Sequence, residues 1–491
     1  MTTTAAPAAP VLSTRRGKRM LMLLLAVGFM DFVDASIVNV ALPSIRGDLG
    51  FSIQSLQWVL SGYLLTYGGF MLLGGRAADL LGRRRLLVAG TTLFGLSSLA
   101  AGVSNSDVLL VAARMVQGVG AAMMLPAALS LLTTTFSETG DRHKALGAWG
   151  ALGGAASAAG VFLGGVLSGG PGWRWVFFVN LPVCLLVLRA TFRLLPADGP
   201  PVRLSNFDLR GALLATSGMV LLVYTIVEAP DVGWGESRTV LGLAGAAAIL
   251  AAFAVNELRH RNPLFPFSIF RIEGLAAADA TQVIAMAGFY AMFFFITLYM
   301  QNVLGFSQLE AGAAYLPTTF AVALAAGVSS QLFVRVGTRP LIVAGALVGA
   351  AGVFWLSRIP VDGSYVANLL APLVVMAVGL GAVFVGVTTA AQAGVPPDKA
   401  GLAAALINTS TWLGGALGVA IFSAIATSRS DDLLAGGAPP AEALTEGFQR
   451  ALAACAIFLV AAAVIALRAT NTRGEPVVDV TPGPEVVPET T

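Results

Sequence analysis

Two aspartates three residues apart, Asp31 and Asp34, interrupt an apolar run that extends from about residue 20 to residue 42. A carboxylate in hydrocarbon is costly unless it is paired, hydrated or protonated, so acids at this depth are functional candidates. Spacing of i, i+3 puts both on one helical face, and two acids that close titrate as a coupled pair. One basic residue, Arg114, lies well inside another apolar run, 107–134. Asp34 stands about 22 Å along its helix from Arg19, and Arg114 about 10 Å in from Asp107. If the two helices cross a core of about 30 Å in opposite directions, both side chains fall in the same half at similar depth. An Asp34–Arg114 pair is therefore allowed. The chemistry these acids could carry is the binding and release of a proton or another cation. Asp34 would load and release a proton, Arg114 would pair with the deprotonated acid, and Asp31 would contact a ligand or share the proton.

The rest of the chain must hold these groups in a membrane. Of its 491 residues, 56% are apolar and 11% charged, against roughly 45–50% and 25% in soluble domains. Its 56 glycines suit close helix contacts in a bilayer. The net charge of +3 does not point to nucleic acid, because the charges sit in short loops between apolar runs. Cys184 and Cys455 fall inside apolar runs and read as buried thiols, not a disulfide. His143 and His260 fall in loops, so no histidine relay runs through the membrane. No metal-ligand cluster, nucleotide loop or Ser/His/Asp set is present, and no cofactor beyond a proton gradient is expected. Arg15, Arg16, Lys18 and Arg19 precede an apolar run too long for a signal-peptide core.

Fourteen apolar runs reach the spanning length of about 20 residues: 20–42, 55–76, 84–104, 107–134, 145–168, 174–194, 210–228, 238–257, 274–299, 309–333, 340–357, 366–390, 401–427 and 448–468. Residues 1–14 and 471–491 read as disordered cytoplasmic tails. With the N-terminus inside, the cytoplasmic loops hold 22 Lys and Arg and the external ones 6. That asymmetry predicts two cytoplasmic termini. A faint repeat aligns Gly82 and Arg84, after the second run, with Gly337 and Arg339, after the tenth. The expected organisation is a six-helix half over 15–197, two inserted helices over 198–262, and a second six-helix half over 263–470, with substrate near the midplane between the halves.

Five stretches resemble the major facilitator superfamily, and more closely its fourteen-span drug:proton antiporters of the EmrB/QacA type. The first is the run ending Val38-Asn39-Val40-Ala41-Leu42-Pro43, with Asp34 at the family's acidic position. The second, Gly75 to Arg84, is similar to its cytoplasmic Gly-x-x-x-Asp-Arg-x-Gly-Arg-Arg loop, with Leu80 in place of the first Arg. In the family that loop latches the two halves. The resemblance implies a latch of Gly75, Asp79, Gly82, Arg83 and Arg84 against the start of helix 13, after Pro396-Pro397-Asp398. The third is Arg114 with Gln117, Gly118 and Gly120. The fourth is the helix 5 antiporter pattern, carried by Gly147, Gly160, Gly164 and Gly165, with Ala156 and Val161 replacing a Gly and the Pro. Proline there would bend the helix, so Val161 predicts little kinking. The fifth is Trp173-Arg174-Trp175 through Asn180-Leu181-Pro182, whose aromatics suit an interfacial belt.

The resemblance implies an all-α polytopic major-facilitator fold in a bacterial plasma membrane, and a monomer. It implies proton-driven export of amphipathic drugs or a secondary metabolite by alternating access. Tyr290, Phe294, Gln301, Asn408 and Trp412 are the candidate substrate-lining residues. Asp279, about 10 Å in from Ile272, reads as a solvated residue near a helix end. A dedicated single-metabolite exporter or a symporter is the alternative. A membrane enzyme, or a receptor or scaffold that has lost transport, stands in a different class.

Overall fold

The computed structural model describes residues 11–136, 139–199, 208–260, 263, 267–395 and 400–473. Among them are fourteen helices of 15 residues or more: α1 Arg15–Leu49, α2 Trp58–Leu81, α3 Arg83–Gly102, α4 Asp107–Thr135, α5 Thr139–Gly169, α6 Asn180–Leu194, α7 Leu209–Val232, α8 Ser237–Arg259, α9 Leu275–Asn302, α10 Leu316–Val336, α11 Thr338–Leu356, α12 Ala371–Gln392, α13 Ala400–Ala435 and α14 Pro440–Ala466. Twelve helical segments among the described residues are long and apolar enough to cross a membrane. The remaining long helices, α2 and α5, run 24 and 31 residues, and only part of their side chains is described.

Glycine sets the closest helix contacts. Gly160 and Gly164 of α5 lie against Val33, Ser36 and Ile37 of α1, leaving no space for a side chain. Gly414 and Gly418 of α13 lie in the same way against Val283 and Ala287 of α9. Small residues let the backbones approach this closely, which is how helices gain contact in lipid. Two further seams join the early helices to the late ones. Gly68 of α2 faces Trp412 and Leu413 of α13, and Gly165 of α5 faces Gln308 and Leu309 at the approach to α10. Helices α7 and α8 pair with each other, and α7 packs on α2 and α13.

The aligned loops share a geometry. Gly82 and Gly337 both have positive φ, 109° and 94°, a conformation glycine adopts without strain. Each begins the next helix. The backbone N–H of Arg84 donates to Asp198 Oδ1 at 3.2 Å, and that of Arg339 to Asn471 Oδ1 at 3.2 Å. Both tail boundaries move as a result. Residues 471–473 were expected to be disordered, but Asn471 and Thr472 bind the start of α11. At the other end Val11–Ser13 form a short helix, and the Leu12 N–H donates to Asp141 at 2.8 Å. Backbone groups that find such partners hold a tail that composition alone reads as loose.

Candidate functional site

Asp34 is fully buried on α1. Arg114 Nη1 on α4 donates to its Oδ2 at 2.7 Å. Gln117 Nε2, one turn further along α4, donates to Oδ1 at 2.8 Å, and Asn180 Nδ2 at the start of α6 donates to the same oxygen at 2.6 Å. Ser98 on α3 accepts from both amides, at 2.7 and 3.1 Å. Arg114 also donates through Nε to the Val59 carbonyl at 3.1 Å and through Nη1 to Gln117 Oε1 at 2.6 Å. Its Nη2 has no hydrogen-bond partner, but the guanidinium lies 4.1 Å over the Tyr63 ring, a cation–π contact strengthened by desolvation. Five helices thus converge on one ion pair. Charge-assisted hydrogen bonds of this kind are about twice as strong as neutral ones, and they offset the desolvation that burying two ions demands.

Asp31 is fully buried one turn earlier on α1. Tyr67 donates to its Oδ2 at 2.6 Å and Tyr63 to its Oδ1 at 3.2 Å. Tyr63 therefore touches both parts of the site, with its face under Arg114 and its hydroxyl on Asp31. Tyr67 in turn stacks on Trp412 of α13 at 4.5 Å, and Trp412 lies 6.1 Å from the Tyr290 ring on α9. With both acids ionised, two carboxylates face one guanidinium. The cluster then carries one excess negative charge, which a single proton would neutralise. Buried charge is tolerated when it is paired.

The remaining sequence candidates divide. Tyr290 and Trp412 sit next to Asp31 through Tyr67. Gln301 Nε2 donates to the Val40 carbonyl at 3.0 Å, tying α9 to α1. Asn408 donates to Ala404 of its own helix at 2.9 Å. Phe294, expected to line the substrate path, is instead packed in the hydrophobic core against Phe295; aromatic area in a span gains most by burial among other side chains. Asp279, expected to be solvated, is also a correction: α13 covers it, leaving it 6% exposed. Trp175 is exposed as a belt residue would be, but Trp173 is buried and its indole N–H donates to Asp48 at 3.0 Å.

In the cytoplasmic-type loop Gly75 lies near Pro126 of α4. Arg84 stacks over Phe192 at 5.3 Å, and Arg83 directly follows Gly82 at the start of α3. The side chain of Asp79 and residues 396–399, its expected latch partner, lie outside the described residues, as do the surroundings of Gly147. The sequence reading missed Asp198, Asn180, Ser98, Tyr63 and Tyr67. Asn180 and the tyrosines carried a signal, polar groups inside apolar stretches, but their partners come from distant segments. A groove of ≈ 790 Å³ between α2, α4 and α7, lined by Trp58, Met115 and Thr216, lies apart from this network.

The sequence matches the model of the Major Facilitator Superfamily over residues 5–419. It is 37% identical to the puromycin resistance protein pur8 of Streptomyces alboniger, over 93% of this chain and 92% of that one. It is 38% identical to the cephamycin export protein CmcT of Amycolatopsis lactamdurans, over 91% of each. It is 34% identical to the multidrug resistance protein Stp of Mycobacterium tuberculosis, over 82% of this chain and 75% of that one. Among solved structures it superposes on a bacterial homolog of the human lysosomal transporter Spinster, with TM-score 0.66, 16% identity, and 94% and 97% of the two chains covered. The match to the xylose transporter XylE of E. coli has TM-score 0.60 and 14% identity, covering 95% and 98%. Fold, sequence and relatives agree: the chain is a multi-pass membrane protein that belongs to the major facilitator superfamily of transporters, and its relatives there are resistance and export carriers.

Proposed function

We propose that this carrier exports amphipathic organic compounds from a bacterial cell in exchange for protons, and that Asp34 is the coupling acid. One observation carries the reading: Asp34 is paired with Arg114 while a second carboxylate, Asp31, is buried one turn away with only tyrosine donors, so with both acids ionised the cluster carries one excess negative charge that a single proton neutralises. Such a pair switches only if Arg114 changes partner as the carrier changes state, and alternating access supplies that movement. In this reading fourteen helices span the plasma membrane as two six-helix halves with α7 and α8 between them, both termini are cytoplasmic, and the carrier works as a monomer. The 22-to-6 excess of basic residues in the loops on one side supports the orientation.

The polar contacts between early and late helices, Gln301 to Val40 and Gln308 to Ser44, lie toward the end of α1 opposite its basic start. We read this as a state sealed on the outside. Tyr67, Trp412 and Tyr290 then offer an aromatic wall beside Asp31, suited to a flat apolar or cationic compound. Relatives named for single compounds at 37% and 38% identity favour a second reading, a carrier dedicated to one metabolite.

The test is flux in proteoliposomes under an imposed pH gradient. The probes are ethidium, puromycin, a cephamycin and tetracenomycin C. Uphill movement that collapses with a protonophore is expected for at least one probe. Movement of several probes fits the broad reading, and of one the dedicated reading. Uphill flux indifferent to the pH gradient would overturn proton coupling.

A further inference from the structure

A third buried acid lies outside the network just described. Asp279 is in the first turns of α9, and Ser410 Oγ on α13 donates to its Oδ1 at 3.1 Å. Its Oδ2 is buried and has no hydrogen-bond partner. Gln282, one turn further along α9, is fully buried. Its amide nitrogen donates to Thr411 Oγ1 at 2.8 Å, while its amide oxygen is also buried without a partner. Spacing of i, i+3 puts Asp279 and Gln282 on one face, and both meet α13. Two buried acceptors within a turn therefore lack donors. Leaving a buried acceptor unmade costs about 1–3 kcal/mol, more for a charged one.

No ion pair reaches Asp279 among the described residues. Ser410 is its one polar contact from α13. The helices α1, α12 and α14, which also pack on α9, bring no described charged partner to it. Arg271 and Glu273 precede α9 and form no described ion pair with it. A proton on Oδ2 changes that atom from an acceptor without a donor into a donor. No group of three His, Cys, Asp or Glu side chains suited to a metal ion occurs among the described residues.

We propose that Asp279 is a second proton-binding site of the carrier, held by Ser410 and read through α13. Residues 410, 411 and 412 follow one another on that helix. The first two hold Asp279 and Gln282, and the third stacks on Tyr67, which donates to Asp31. A shift of α13 on proton uptake at Asp279 is thus transmitted to the first site through one aromatic contact. The inference rests on the proton-coupled reading for its transport consequence, but not for proton binding itself.

Two measurements on the purified full-length carrier separate these. Dicyclohexylcarbodiimide, which modifies protonated carboxyls in apolar surroundings, should label Asp279, read by peptide mass spectrometry. Labelling should fall about tenfold per pH unit above its midpoint. It should persist in Asp31→Asn and Asp34→Asn, and its midpoint should move in Ser410→Ala. Absence of labelling at every pH, or labelling suppressed by sodium at constant pH, overturns the site. The second measurement is the pH profile of ethidium flux in proteoliposomes. Asp279→Asn should displace the profile, and Asp279→Glu should restore it. A profile identical to wild type overturns transmission through α13. Loss of proton-driven flux in the wild type, with labelling intact, would instead count against the function proposed above.

Discussion

Helices α1 and α9, taken as the heads of an early and a late group of helices, are built alike and furnished differently. Gly160 and Gly164 seat α5 on Val33 and Ile37 of α1; Gly414 and Gly418 seat α13 on Val283 and Ala287 of α9. That match sets a shift of 250 residues, under which Thr281 stands for Asp31 and Ile284 for Asp34. The partners follow suit. Gly120 packs on Gly90 as Gly379 packs on Gly345, so Leu373 and Met376, both fully buried, take the places of Arg114 and Gln117. The equivalent positions therefore carry an ion pair in one group and apolar side chains in the other. A buried pair and its apolar replacement can be nearly equal in stability, whereas half of a pair is costly. At these equivalent positions the second group carries no charge.

The strongest way to break this comparison is to remove the acid. Asp34→Asn keeps the shape but fixes the group as neutral and replaces one of its two acceptor oxygens, both of which accept from buried donors, by a donor. Uphill ethidium movement under a pH gradient should fall at least about a hundredfold, a loss of some 3 kcal/mol of coupling, while downhill exchange persists. Moving the acid across the repeat should not rescue it. Ile284→Asp in the Asp34→Asn background meets Leu373 and Met376, which donate nothing, so folded yield should drop as well. Restored uphill transport in that double variant would mean the two groups are functionally interchangeable.

Removing the cation is the next largest effect. Arg114→Met leaves Asp34 buried with amide donors alone, and breaking a buried pair on one side costs about 3–5 kcal/mol. The midpoint of thermal unfolding in detergent should fall sharply. Adding Asp34→Asn to Arg114→Met should recover much of that loss, because no unpaired charge then remains. If the two losses simply add, the pair is not energetically coupled.

Tyr67→Phe keeps the stack on Trp412 but deletes the hydrogen bond to Asp31. A hydrogen bond to a charged group contributes about 1.5–3 kcal/mol. The expected result is a displaced pH profile of ethidium flux with little change in unfolding temperature. At the position equivalent to Asp31, Thr281 donates to Ala277 of its own helix. Thr281→Val should therefore leave the profile unchanged.

What the sequence revealed, and what it hid, follows from the range of each contact. Asp34 and Arg114 could be paired by counting residues from the helix ends, because helical rise converts sequence position into depth. Asn180 and Ser98 could not, because depth says nothing about which helices are neighbours. Asp279 was misread for the same reason: distance from a helix end gives no account of α13 lying across it. Phe294 was placed by residue type, and type does not separate a lining aromatic from a packed one. The aligned Gly82 and Gly337 did identify equivalent turns. The side chains that occupy them, Asp198 and Asn471, come from the far end of each group, where no sequence pattern joins them to the glycines.

Those two turns give the smallest expected effect. Asp198 accepts the backbone N–H groups of Arg84 and Arg85, at 3.2 and 2.8 Å; Asn471 accepts that of Arg339 at 3.2 Å. Both side chains cap the first turn of a helix. A cap replaced by alanine costs about 1 kcal/mol, and a negative charge at a helix N-terminus adds about 0.3–1 kcal/mol over a neutral cap when exposed. Asp198→Ala should thus lower stability slightly more than Asn471→Ala. Asp198→Asn should lose only the charge contribution, and Asn471→Asp should gain it. Salt should erase the difference between the Asp and Asn versions, because exposed charges are screened, and leave the alanine losses in place. The measurement is thermal unfolding of the four variants at low and high salt. An Asp–Asn difference that survives high salt would mean that Asp198 acts through its particular contacts in the first loop and not as a charge at a helix end.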